Sequence, residues 1–488
     1  MVQTGSVLTA NRPQADAPSR KLSGRLLHLA GIPLLLALAA CSAGSAHQPA
    51  VVTPAATGTA DAAAAGTATD WLQYHGNGAR TGAVAGLPAA GRLSVAWSRQ
   101  LGGAVYGQPL VIGSTVVAAT EQDEVYGLNR TTGAVRWKTR VGTPLPISGQ
   151  PCGNITPLGI TSTPVYDPQT RLVYVVAQSG AASHVLAGLR VSNGHIAFSR
   201  NVPSPDHQAA YDQQRGALAL TDGHIYVVFG GHFGDCGPYI GSVVAMPATR
   251  QGPIWSYRVP TRKQGGIWAP GGPVVGPDGT VYVSVGNGAI ISRTFDDSDS
   301  VTALTPALHR IGVFAPTDWR NLSAADEDLG SMSPALLSDG QILQVGKGGV
   351  GYLLNAAHLG GVGGQLAQGR VCAAFGGAAV SGTTVYVPCQ DHGLTAVSTA
   401  GRRVAVIWRA PGEIDGSPVI GGSALWAAST STGVLYELAP KTGRIRQDIR
   451  LPVIARAGRR LPNFVSPALS GRLVLIGTMT GIIAISGA

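Results

Sequence analysis

Few side chains in this 488-residue chain have the type and spacing to do chemistry. No nucleophile elbow is present, and neither HExxH nor any similar metal-binding spacing occurs. CxxC and CxxCH are missing as well, which speaks against a thioredoxin-like role and a c-type haem. What remains is dispersed. Lys347 lies in Gly-Lys-Gly-Gly, where an ammonium among glycines could meet an anion, but the P-loop spacing is lacking. Asp326, Glu327 and Asp328 form an acidic run just ahead of a strand start, placed to cap or solvate a loop. Asn287 sits between two glycines, the setting of a turn residue that tolerates positive φ. His232 and Asp235 lie close to Cys236, as much at home in a structural loop as facing a ligand.

The elements that must position these residues show in the repeats. Residues 125–137 (VYGLNRTTGAVRW) alternate in period two, turn at a small-residue pair, and alternate again to an aromatic. Residues 185–198 (VLAGLRVSNGHIAF) follow the same plan, and residues 435–446 (LYELAPKTGRIR) keep its strand-turn-strand part. Period-two alternation predicts strands, and the TG or NG pair supplies a hairpin turn at little steric cost. Hairpin repeats at this spacing point to a β-propeller rather than a helical solenoid. Eight strand starts rich in small residues recur, from GQPLV at Gly107 to VSPAL at Val465, as innermost strands crowding a narrow channel require. Trp137, Phe198, Trp255, Phe314 and Trp408 are expected on outer strands, packing between blades. The last segment supplies three strands, and residues 93–101 (LSVAWSRQL) form a lone strand with the outer pattern. Pairing the two removes a free edge and predicts an all-β, eight-bladed propeller of four-stranded antiparallel blades over residues 70–488.

Only 12% of residues are charged and 68 are glycine, which suits many short strands and tight turns. Of the formal +10, a net +3 lies ahead of residue 41, leaving +7. The arginines are scattered, with no basic stripe interleaved with aromatics, so no nucleic acid is expected as a partner. The N-terminal stretch RKLSGRLLHLAGIPLLLALAAC has the layout of a secretory signal over residues 1–40. Its end, Leu38-Ala39-Ala40-Cys41, resembles a bacterial lipobox, which implies acylation of Cys41. Residues 41–69 are mostly Ala, Thr, Gly and Pro and read as a flexible tether. The expected product is an exported monomer, lipid-anchored and facing the periplasm or cell exterior. The four remaining cysteines suggest two disulfides. Cys372 and Cys389 flank one hairpin-scale segment, which leaves Cys152 for Cys236.

The 125–137 repeat, its relatives and DWLQYHGNGARTG at residues 70–82 resemble the repeat family named for pyrroloquinoline quinone (PQQ). Longer blocks, among them GGIWAPGGPVVGPDGTVYVSVGNG, are similar to uncharacterised bacterial members of that superfamily. The family holds quinoprotein alcohol dehydrogenases and non-catalytic lipoproteins, including an outer-membrane assembly factor. A dehydrogenase would hold calcium and the quinone on the channel axis, since hard oxygen donors suit Ca²⁺. The resemblance then implies Asn287, Asp326 and Asp235 as metal ligands, Asp328 as the catalytic carboxylate, and Trp268 and Lys347 beside the quinone. The chain departs from the enzymes at two places. His232 or Phe233 stands where they carry Glu, and their adjacent cysteine pair is missing, with Cys152 alone in CGN. The reading is therefore a binding or scaffolding module for an envelope protein or small molecule. Its recognition loops are 144–159, 201–214, 290–300 and 317–330. A PQQ- and calcium-dependent dehydrogenase, or a decayed relative, is the first alternative. A factor for outer-membrane protein assembly is the second.

Overall fold

The computed structural model describes residues 70–488 apart from 181–182, 290–292, 457 and 488. The expected signal, Cys41 and the tether lie outside the described residues. No helix among the described residues is long and apolar enough to cross a membrane.

The described residues form eight antiparallel sheets arranged as the blades of a propeller. Six sheets have four strands. The third and fourth each gain a short extra strand, Asp212–Gln213 and Gly361–Val362. In chain order the blades span residues 110–140, 165–202, 219–258, 274–315, 335–370, 379–409 and 419–450. The eighth is built from both ends of the propeller: Ala468–Ser470, Leu473–Thr478 and Gly481–Gly487, with Leu93–Gln100 paired antiparallel along the last of these. Each blade runs from an innermost strand out to an edge, so all turns fall on two faces. The lower face carries the turns within the first and second hairpin of each blade. The upper face carries the middle turns and the blade-to-blade loops.

Second and third strands are buried throughout, as in Thr115–Ala119 and Val434–Leu438, while outer strands alternate. The repeat glycines have two causes. Gly133, Gly194 and Gly443 take φ of 66°, 73° and 69°, which the turn demands. Each also lies against the outer tryptophan of the preceding blade, where a Cβ would collide with Trp97, Trp137 or Trp408. Those indoles donate to the backbone of the same turns, at Arg130 O (2.9 Å), Val191 O (2.8 Å) and Pro440 O (3.0 Å). The turn and the aromatic, bonded across 32 to 54 residues of sequence, thus form one inter-blade clasp.

The lower end of the axis is stopped by residues 71–84. Their backbone bonds in turn to Val111, Tyr166, Val275, Val380 and Ile420, residues of five different blades. His75 and Arg80 are buried in this plug. The His75 ring reaches Arg80 O, Ala378 O and Ser466 Oγ, and burial pushes its pKa down to about 3, so it stays neutral.

Two disulfides form, Cys152–Cys236 and Cys372–Cys389. The first spans 84 residues and ties the loop entering blade 2 to the middle turn of blade 3. Loop-closure entropy for that span predicts that Cys152→Ser with Cys236→Ser costs about 4.5 kcal/mol. Chemical denaturation of the oxidised protein and the double variant checks this, and an unchanged midpoint would contradict it.

Candidate functional site

The residues singled out in the sequence converge on the upper face. Trp268 lies in the loop from blade 3 to blade 4, and Asn287 follows the second strand of blade 4. Asp326 and Asp328 lie in the loop from blade 4 to blade 5, after the short helix Trp319–Ala325. Lys347 occupies the middle turn of blade 5.

Their chemistry is set by one ion pair. Asp328 is 3% exposed. Its Oδ1 accepts the Asn287 backbone N–H at 2.7 Å, and its Oδ2 lies 2.5 Å from Lys347 Nζ. Gly286 must be glycine here, because a Cβ would run into Asp328 Oδ1. Lys347 also reaches Asp326 Oδ1 at 3.2 Å. Burial works against the ammonium, but the Asp328 and Asp326 carboxylates outweigh it and raise the Lys347 pKa, keeping it charged. Asp326 is the left-handed residue ending the helix (φ 58°), and its side chain stays exposed.

Of the remaining candidates, Asp235 has a partner of its own. Asp235 accepts the Tyr239 hydroxyl at 2.6 Å. Burial and the carboxylates of Asp235, Asp328 and Asp326 together raise that phenol well above its usual pKa. Asn287 enters the site through its backbone. His232 is buried, whereas Phe233 is 68% exposed beside the disulfide-bonded loop.

Several residues at the site were not singled out in advance. Trp268 packs with Phe375 and Phe464, each ring centroid 6.3 Å from it, and the two phenyl rings stack at 5.9 Å. Lys347 Nζ lies 5.9 Å from the Trp268 ring centroid, and the Arg215 guanidinium lies 4.8 Å from that of Phe464. Below Phe464 and Arg215 the axis narrows to a cavity of about 20 Å³, bounded by Tyr74, Tyr106 and Gln108. That is room for a water molecule. Asp299, also unforeseen, accepts Ser323 Oγ at 2.6 Å and Leu329 N at 2.9 Å beneath the acidic loop. Burial raises its pKa to about 7. Phe375, Phe464 and Arg215 carry no motif; only their blade positions, once known, place them on the axis.

The donor set can be tested against the calcium and quinone that the resemblance implied. A hard cation needs open carboxylate and amide oxygens in one shell. Here an ammonium holds Asp328 Oδ2, a backbone N–H holds Oδ1, and a phenol holds Asp235. Among the described residues no three His, Cys, Asp or Glu side chains gather as metal ligands would. The residues do not fit a calcium ion, and no chemical step is derived through it or the quinone.

Comparison with known proteins bears on the fold. The family described as outer membrane protein assembly factor BamB matches residues 79–303, a little under half of the chain. The fold is that of the PQQ-like β-propellers. Among solved PQQ-like propellers, a quinohemoprotein alcohol dehydrogenase from Pseudomonas putida HK5 superposes with a TM-score of 0.68 at 14% identity, covering 86% of this chain and 80% of that one. A europium-containing methanol dehydrogenase gives 0.65 at 14% identity over 86% and 98% of the two chains. BamB from Moraxella catarrhalis gives 0.53 at 12% identity over 81% and 97%. At such identities the likeness to these structures is one of fold. No curated protein matches the sequence.

Proposed function

We propose that this PQQ-like propeller is an exported, lipid-anchored binding and scaffolding module of the cell envelope, with its upper-face loops as the recognition surface. The observation that carries the reading is the ion pair at 2.5 Å between Lys347 and Asp328. It neutralises from within the carboxylate that a quinone enzyme would need free. Two disulfides support a site of action outside the reducing cytoplasm. The signal-like N-terminus with its Cys41 lipobox supports the anchor.

The test is a titration of the purified protein with PQQ and Ca²⁺, followed by quinone absorbance and by dye reduction with alcohols. The expected result is neither saturable binding nor turnover. Saturable binding that disappears in Asn287→Ala or Asp328→Ala would overturn the proposal. For the anchor, Cys41→Ala is expected to make membrane association removable by high salt, and association of the variant that resists salt would count against it. The match of residues 79–303 to the BamB family favours a second reading, a partner in outer-membrane protein assembly. Affinity capture of the anchored protein with its envelope neighbours would distinguish that role.

A further inference from the structure

We propose that the lower face of the propeller docks electrostatically onto an anionic phospholipid surface. The contact surface is an arc formed by Arg92, Arg402, Arg403, Lys441, Arg444 and Arg472. All six side chains are exposed, and among the described residues none takes part in a salt bridge. They occupy lower-face turns of blades 6, 7 and 8, with Arg92 leading into the strand Leu93–Gln100.

These turns adjoin one another. The blade 7 turn carrying Lys441 and Arg444 clasps Trp408 of blade 6 through Gly443 and Pro440. Gln447 of blade 7 bonds Gly91 O at 2.8 Å, next to Arg92. Arg472 O accepts the Gly487 N–H in the same corner. The lower-face turns of these three blades contain no Asp or Glu. Of the acids on the adjoining strands of blade 7, Glu437 is buried and paired with Arg446, and Asp448 is exposed on the outer strand. Acids of this face include Asp70 at blade 1 and Asp222, Asp278 and Asp339 on blades 3, 4 and 5, so the arc is a stretch of this face whose turns are free of them. Between blades 8 and 1 the arc borders a groove of about 320 Å³ flanked by Arg130 and Arg472, open to a phosphate headgroup.

Where the chain enters the propeller selects a membrane as the occupant. Asp70 Oδ1 accepts Gly113 N at 2.8 Å in the first lower-face turn of blade 1, so the polypeptide arrives on the face that carries the arc. Cys41 stands 29 residues upstream. That length spans at most about 100 Å fully extended. A lipid on Cys41 would therefore keep the propeller within about 100 Å of the bilayer, with its point of attachment on this face, and the proposal rests on that anchoring. Each cation brought to an anionic surface raises the partition about fivefold, and the effect fades beyond a Debye length.

The experiment uses the chain from Ser42 onward without acyl groups, which retains every described residue and is independent of whether Cys41 is modified. Sedimentation with phosphatidylglycerol-rich vesicles is expected to pull the protein down, and phosphatidylcholine vesicles or high salt to leave it in solution. Reversing Arg402, Arg403, Lys441 and Arg444 to Glu is expected to weaken the partition by about a hundredfold or more, with an unchanged circular dichroism spectrum. Reversing Arg262, Arg450, Arg456 and Arg459 on the upper face is the matched control and should leave most of the binding. Equal binding to both vesicle types, no binding to either, or greater sensitivity to the upper-face variant would each overturn the proposal. Loss of salt-resistant membrane association in Cys41→Ala alone reports on the anchor and not on the arc.

Discussion

Ile483→Pro is expected to leave no folded ring. Ile483 is buried in the central position of the composite blade, paired with Ser98 on one side and Ile476 on the other. A proline there removes a ladder donor in the middle of a sheet, a position from which proline is all but excluded. The larger effect is topological. If Leu93–Gln100 parts from Gly481–Gly487, two strand edges open at once and blades 8 and 1 lose their shared core. Ile483→Val, which removes one methylene, should cost only about 0.5–1.5 kcal/mol. Limited proteolysis and far-ultraviolet circular dichroism separate the two. A proline variant as resistant as the parent would show that the composite blade is dispensable.

Arg80→Met is expected to destabilise the protein by about 4 kcal/mol at unchanged m-value. The Arg80 guanidinium, 3% exposed, donates to Pro273 O (3.1 Å), Tyr74 O (3.0 Å) and Leu218 O (2.8 Å), and to Gln73 Oε1 (3.1 Å). Methionine matches much of the stem but leaves these acceptors without a partner, and each buried orphan costs about 1–3 kcal/mol. Burial lowers the guanidinium to about 9, so it remains charged at neutral pH and its donors stay in place. Arg80→Lys should recover only a fraction, since an ammonium cannot reach acceptors spread around a planar fork. Urea titration reads both variants. A shift below about 1 kcal/mol would mean that water replaces the lost donors.

Much of the architecture was legible because repeats report on themselves. A period-two run followed by TG and an aromatic specifies two strands, a turn and a clasp, as residues 125–137 show. The disulfides were legible by position, since hairpin-scale spacing assigns Cys372 to Cys389 and leaves the other pair. The site was less so. Asp328, Lys347 and Trp268 were marked by motif, and they do meet, but that Lys347 fills the carboxylate depends on side-chain geometry across two blades. Phe375, Phe464 and Arg215 come from three different loops, and nothing local announces that they share an axis. The lower-face cations show the same limit from the other side. Arginines that look scattered along the chain fall about one repeat apart, and the ring brings them into a single arc. The extra strand Gly361–Val362, parallel to the outer strand of blade 4, has no period-two signal and was not foreseen.

The plug at residues 71–84 also governs the order in which the molecule can be completed. His75 Nε2 meets Ser466 Oγ at 3.1 Å across 391 residues of sequence, and Gln108, which accepts the Trp71 indole, donates to Pro467 O at 2.6 Å. A segment made before every blade therefore waits for partners made after seven of them. Contacts of such separation make folding slow, and a half-finished chain exposes open blade edges meanwhile. Closure of the ring and seating of the plug are therefore expected together, only once the eighth blade has been made.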